Sequence, residues 1–177
     1  MDKNNENNIN WDKTFLDIAE LVSQHSKCVK VKVGAVLVKD KRIISIGYNG
    51  VPSGIRPHCN EVFNPKYFTD KSLKTQHNPY ASMEEKLTIE LKHREHTEFQ
   101  KANEIHAEIN ALLFAARNGV STDKTTLYTN LSPCLDCTKA IIAAGVSTVI
   151  YRKIYRETNF ELFEKANIVH YSIETEV

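Results

Sequence analysis

Apolar positions along this chain keep two rhythms, one repeating about every 3.6 residues and one every second residue, and each change of rhythm marks an element. Over 11–24, Phe15, Ile18, Ala19, Leu21 and Val22 recur at helical spacing, with Asn10 or Asp12 available as a cap, which predicts a first helix. Two β-branched runs, 33–38 and 43–48, joined by the polar Lys39-Asp40-Lys41, predict a β-hairpin. From Gly50 to about Met83 the chain mixes Gly, Pro, Asn, His and aromatics without a steady period. That stretch is too long for an ordinary connection, so 51–103 reads as an insertion. Inside it, 82–100 predicts a largely solvated helix whose thin apolar edge is Leu87 and Leu91.

Helical spacing returns over 104–117 and stops at Asn118-Gly119, a favourable C-cap pair. Beyond it come a strand at 125–130, a helix at 134–144 closed by Gly145, a strand at 146–151, a helix at 158–167 and a strand at 168–173. This succession predicts the α/β class, as a three-layer α-β-α sandwich on a central mixed sheet of about five strands. Residues 1–10, rich in Asn and charge, are expected to be a disordered tail, and 11–177 a single domain carrying the insertion.

Charge narrows the partners. Lys and Arg number 23 against 22 Asp and Glu, so nothing favours a polyanionic nucleic acid or a membrane surface, and a small-molecule ligand fits better. No apolar run approaches the roughly 20 residues that span a bilayer, and the polar MDKNNENNIN start is unlike a signal peptide, so the expected location is cytoplasmic. In a reducing compartment the four cysteines are poor disulfide partners. The three-residue step from Cys134 to Cys137 suits metal ligation or redox chemistry instead.

The chemistry concentrates in His106-Ala107-Glu108, and in Pro133-Cys134-Leu135-Asp136-Cys137 at the start of a later helix. Taken singly, C-x-x-C reads equally as a redox pair or half a structural metal site, and H-x-E carries almost no weight. Joined, they match the known signature of zinc-dependent nucleobase deaminases. His106, Cys134 and Cys137 would give zinc three protein ligands and leave the fourth tetrahedral position for water, as hydrolysis requires. Helix N-termini favour the thiolate form of both cysteines. Glu108 need not coordinate and is the proposed catalytic acid/base.

Further segments extend the match: Asn103-Glu104-Ile105-His106-Ala107-Glu108-Ile109-Asn110-Ala111, Phe114-Ala115-Ala116-Arg117-Asn118-Gly119, and Leu131-Ser132-Pro133-Cys134-Leu135-Asp136-Cys137-Thr138-Lys139-Ala140. Upstream, Ser23-Gln24-His25-Ser26-Lys27-Cys28, Val33-Gly34-Ala35-Val36 and Gly47-Tyr48-Asn49-Gly50 add to it. Over 11–157 the chain resembles the deoxycytidylate (dCMP) deaminases of the zinc-dependent cytidine deaminase superfamily, and most resembles the virus-encoded branch with a long insertion. The resemblance implies hydrolysis of dCMP to dUMP and ammonia, feeding thymidylate synthesis. It implies that Asn49 bonds the deoxyribose and that backbone groups at Ala107 and Ser132 orient the ring. Ser26, Lys32 and Tyr155 become candidates for the 5′-phosphate. The plainer alternatives are a solvated Lys32, a packed Tyr155, and an Asn49 that serves only as the turn residue before Gly50.

The resemblance also implies a homo-hexamer, activated by dCTP with Mg²⁺ and inhibited by dTTP, with Phe114 and Arg117 at the regulatory positions. It implies a second, structural zinc on Cys28, His96, Glu104 and either His58 or Cys59. Without that metal, Cys28 and Cys59 would be small buried hydrophobes and His96 a surface residue; His93, three residues before His96, could share a helix face with it but is expected to face water. Two other functions compete. One is deamination of another nucleoside, nucleobase or tRNA base, of which the balanced charge disfavours tRNA. The other is a non-catalytic zinc module, for which Glu108 would have no use.

Overall fold

The computed structural model describes residues 10–69, 82–155 and 158–173. The expected tail, apart from Asn10, and the part of the insertion at 70–81 lie outside the described residues. Asn10 is the cap of α1 (Trp11–Ser23), its side-chain oxygen accepting the N–H groups of Asp12 and Lys13 at 3.1 and 3.2 Å. The buried face of α1 is Phe15, Leu16, Ala19 and Val22.

The hairpin forms as β1 (Gly34–Lys39) and β2 (Arg42–Tyr48). Its turn residues Asp40 and Lys41 both sit at positive φ, 50° and 59°, the handedness that matches the strands' own twist. With β3 (Thr126–Leu131), β4 (Thr148–Lys153) and β5 (Val169–Ser172) they make one five-stranded sheet ordered β2-β1-β3-β4-β5. β1 is antiparallel to both neighbours, and β3, β4 and β5 run parallel. The parallel strands are linked through α6 (Leu135–Ala143) and α7 (Phe160–Lys165).

Alternation along the strands feeds two cores. Val36, Val38, Tyr128 and Ile150 pack under Phe15, Leu16 and Ala19 of α1. On the other face Ala35, Leu37, Leu127, Val149 and Tyr151 meet α5 (Ala107–Arg117), α6 and α7 through Ala111, Ala115, Ile141 and Phe163. The result is the expected three-layer sandwich with a mixed five-stranded sheet. Gly47 lets β2 lie directly on α5: a Cβ there would stand 2.3 Å from the Ala107 carbonyl oxygen and 2.4 Å from the Ala111 nitrogen.

Boundaries differ in two informative places. Residues 104–106 are extended, outside the helix expected at 104–117, because Ile105 exchanges both backbone hydrogen bonds with Gly50 and His106 caps α5. The preceding helix, α4 (Met83–Asn103), accordingly runs three residues beyond its expected end at 100. Leu87 and Leu91 are exposed on it, and the buried side is Ile89 and His96. α4 packs there against α2 (Cys59–Val62) and α3 (Lys66–Thr69). Phe63, Phe68 and Phe99 contribute apolar material around it. His93 does not simply face water: it is half-buried against the Phe68 ring and hydrogen-bonds the Tyr67 carbonyl at 3.0 Å. Among the described residues no helix is long and apolar enough to cross a membrane.

Candidate metal centres and active site

Two helices point their N-termini at one spot beyond the carboxyl end of β3. Their N-caps, His106 for α5 and Cys134 for α6, both have extended backbone, at φ −71°, ψ 154° and φ −72°, ψ 172°. His106 Nδ1 lies 3.4 Å from Cys134 Sγ and 3.3 Å from Cys137 Sγ. Glu108, in the first turn of α5, is buried beside them at 4% exposure. Pro133 separates Cys134 from Ser132, which is buried with its N–H on the Lys153 carbonyl at 2.8 Å. Ser132 Oγ accepts the Tyr155 N–H at 2.7 Å and shares a 2.6 Å hydrogen bond with the Thr158 hydroxyl.

The electrostatics of this group call for a cation. A hydrogen bond from Cys137, helped by His106, lowers the Cys134 pKa to about 4, and the Cys134 thiolate raises His106 to about 9. Cys137 is pushed far above the ordinary thiol range, because it is hydrogen-bonded to an existing anion and buried. Burial likewise raises the Glu108 carboxyl. Two adjacent sulfurs cannot both carry charge cheaply until a divalent cation lies against them, at which point both deprotonate. One imidazole and two thiolates therefore fit zinc by donor chemistry as well as by position.

A second group of the same kind joins residues of 51–103 to Cys28, just beyond α1. Cys28, Cys59 and His96 are all buried, with His96 Nε2 3.7 Å from Cys28 Sγ and 3.4 Å from Cys59 Sγ. Cys28 is lowered to about 4, chiefly by a hydrogen bond from Cys59, and Cys59 is raised by that same hydrogen bond and by burial. Gln100 Nε2 donates to Cys28 Sγ at 3.4 Å and to Glu104 Oε2 at 3.1 Å. Cys28, Cys59 and His96 bring their donor atoms together and so fit a metal, while Glu104, its carboxyl raised by burial, has Oε1 buried without a hydrogen-bond partner among the described residues. Of the two alternatives for its third position, Cys59 belongs to the group. His58 is the N-cap of α2, with its N–H held by Glu61 Oε2 at 2.8 Å.

The remaining sequence-predicted positions divide. Asn49 is buried and braces the backbone, donating to the Val31 carbonyl at 3.0 Å and accepting the Val33 N–H at 2.8 Å. Ser26 is buried and accepts the Cys28 N–H, whereas Lys32 is exposed. Phe114 and Arg117 are exposed on the last turns of α5. Sequence reading missed Gln100, although its step of four from His96 on a predicted helix was a usable signal. It also missed Asn130, whose amide holds the Gly34 N–H and the Lys32 carbonyl much as Asn49 holds Val33 and Val31.

Fold and site together define an α/β enzyme of the zinc-dependent deaminase class. Residues 9–153 match the family described as the cytidine and deoxycytidylate deaminase zinc-binding region. The deoxycytidylate deaminase of Enterobacteria phage T4 is 44% identical over 149 residues, which cover 80% of this chain and 77% of that protein. The dCMP deaminase of cyanophage S-TIM5, solved in complex with dCMP and dUMP, superposes with a TM-score of 0.66 at 31% identity, over 91% of this chain and 95% of that one. A diaminohydroxyphosphoribosylaminopyrimidine deaminase/5-amino-6-(5-phosphoribosylamino)uracil reductase from Thermotoga maritima shares the fold, with a TM-score of 0.56 at 23% identity over 92% of this chain and 36% of that one. The chain belongs to the cytidine and deoxycytidylate deaminase family.

Proposed function

We propose that this protein hydrolyses dCMP to dUMP and ammonia. The observation that carries the reading is His106 Nδ1 within 3.4 Å of both Cys134 Sγ and Cys137 Sγ, beside the buried carboxyl of Glu108. The substrate comes from the relatives' named activity and from the nucleotides bound to the S-TIM5 enzyme. His106, Cys134 and Cys137 would hold zinc, which when bound supplies Lewis-acid activation of water. Glu108 receives the proton of the attacking water, passes it to the ring nitrogen next to the amino-bearing carbon, and assists the departing amine. Burial raises the Glu108 carboxyl above its ordinary range, which favours a side chain that accepts a proton and returns it.

Backbone groups of Ala107 and Ser132 orient the ring edge. Asn49, with one N–H and one lone pair still available after its two backbone bonds, takes the sugar hydroxyl. Lys32, Tyr155 and the Ser26 hydroxyl are the groups offered to the 5′-phosphate. Cys28, Cys59, His96 and Glu104 hold a structural zinc that pins the insertion to the body. The working form is a homo-hexamer whose product feeds thymidylate synthesis, with dCTP and Mg²⁺ activating and dTTP inhibiting through Phe114 and Arg117.

Turnover of dCMP, CMP and deoxycytidine, followed by loss of cytosine absorbance with and without dCTP and dTTP, tests the substrate and its regulation. dCMP is expected to be turned over much faster than deoxycytidine, and equal rates would refute a nucleotide substrate. Glu108→Gln is expected to retain zinc while losing roughly a thousandfold or more in kcat. Full activity in that variant refutes the proton-transfer role. Metal analysis is expected to give close to two zinc ions per subunit, and one ion removes the structural site.

A further inference from the structure

A circuit of short contacts runs from the Cys28, Cys59 and His96 group to the residue before His106, and Gln100 touches both Cys28 and Glu104 within it. From the last turn of α4 its Nε2 bonds Cys28 Sγ at 3.4 Å and Glu104 Oε2 at 3.1 Å, while its carbonyl accepts the Glu104 N–H at 2.9 Å. Glu104 therefore leaves the helix with both its side chain and its peptide held by one residue. Two residues later along an extended strap stands His106, a distance of roughly 7 Å at the usual rise per residue.

The strap is fixed in the middle as well. Ile105 N–H bonds the Gly50 carbonyl at 2.9 Å, and Gly50 N–H bonds the Ile105 carbonyl at 3.1 Å. Gly50 follows Asn49, whose side chain grips Val31 and Val33. That segment runs back to Val29, whose N–H lies on Cys59 Sγ at 3.5 Å, and to Cys28, where the circuit closes. A shift of Glu104 is not absorbed by free rotation before it reaches His106, because Ile105, the one residue between them, is held through both its N–H and its carbonyl.

We propose that Gln100 is a positioning residue: by tying Cys28 to Glu104 it sets the Glu104–Ile105–His106 strap, so that the insertion's Cys/His group governs how firmly His106 grips its metal. The inference rests on the reading of both groups as metal sites. It gives the insertion a part in catalysis through the strap, without any contact between Gln100 and the substrate. It also states a direction: loosening the insertion's group weakens metal retention at His106, Cys134 and Cys137.

The test uses the full chain loaded with zinc and reads metal release to a chromogenic chelator. His106→Ala and Cys59→Ser identify which kinetic phase belongs to which group. Gln100→Leu, which keeps the bulk and removes the donor, is expected to speed the His106 phase roughly three- to tenfold, the range expected for groups that support ligands from behind. kcat for dCMP should fall by a similar factor with KM within about twofold. An unchanged His106 phase, in protein whose circular dichroism matches the parent, overturns the proposal. If Gln100→Leu does not fold, Gln100→Glu, with the same length and no donor, reads the same phases with the same expected direction. A parent protein showing no phase assignable to Cys28, Cys59 and His96 instead overturns the metal-site reading on which the proposal stands.

Discussion

A proton count can be read from the residues around His106. With the imidazole raised to about 9 and the Cys137 thiol raised further, both carry a proton at neutral pH, while Cys134 at about 4 does not. Protein stripped by a chelator should therefore release close to two protons for each zinc taken up at this group near pH 7. Calorimetry in buffers of different ionisation enthalpy measures that number, and a value near zero contradicts the protonation pattern. Below about pH 4 the Cys134 thiolate is protonated as well, so uptake weakens further as the pH falls. Gly47 is the second residue with an outsized effect. Gly47→Ala drives a methyl group into the backbone of Ala107 and Ala111, so it should cost about 3 kcal/mol or more in chemical denaturation and depress activity by displacing the start of α5.

At the scale of elements, what was legible depended on whether the deciding interaction was local. α1, the hairpin and α6 follow from spacing and from neighbouring caps, and the signature residues flag the helix starts that bring His106, Cys134 and Cys137 together. The break at 104–106 was not legible, because Ile105 and Ile109 continue a plausible helical stripe and the competing partner, Gly50, lies far away in sequence. α4 misled for a related reason. Counting apolar residues favours Leu87 and Leu91, but the surface it meets is built of sulfur and aromatic rings that select His96, which sits 4.7 Å from the Phe68 ring and 5.1 Å from Phe63. A polar residue marked the buried face, which hydrophobicity alone ranks as outward. The choice between His58 and Cys59 was likewise open from two adjacent ligand types, and the 3.4 Å approach of Cys59 Sγ to His96 Nε2 favours Cys59.

Across the whole molecule, one carboxylate of α1 reaches two strands of the sheet. Tyr128 from β3 donates to Asp12 Oδ1 at 2.7 Å, and Tyr171 from β5 donates to Asp12 Oδ2 at 3.2 Å. Burial first, and the adjacent Asp12 charge second, push the Tyr128 phenol well above its ordinary range. The folded state therefore keeps a proton that the unfolded chain gives up near pH 10, so this contribution is intact below pH 10 and fades as the pH climbs beyond it. Tyr128→Phe is expected to cost about 1 to 2 kcal/mol at neutral pH and to flatten the alkaline loss of stability, both read from urea denaturation curves. An unchanged midpoint at both pH values contradicts the fastening.

That carboxylate spans 116 residues to one phenol and 159 to the other. A polypeptide still emerging from a ribosome has the helix bearing Asp12 long before it has the edge strand bearing Tyr171. The helix bearing Asp12 must therefore wait, half secured, until residue 171 has been made, so its second phenol bond supports no earlier step of folding.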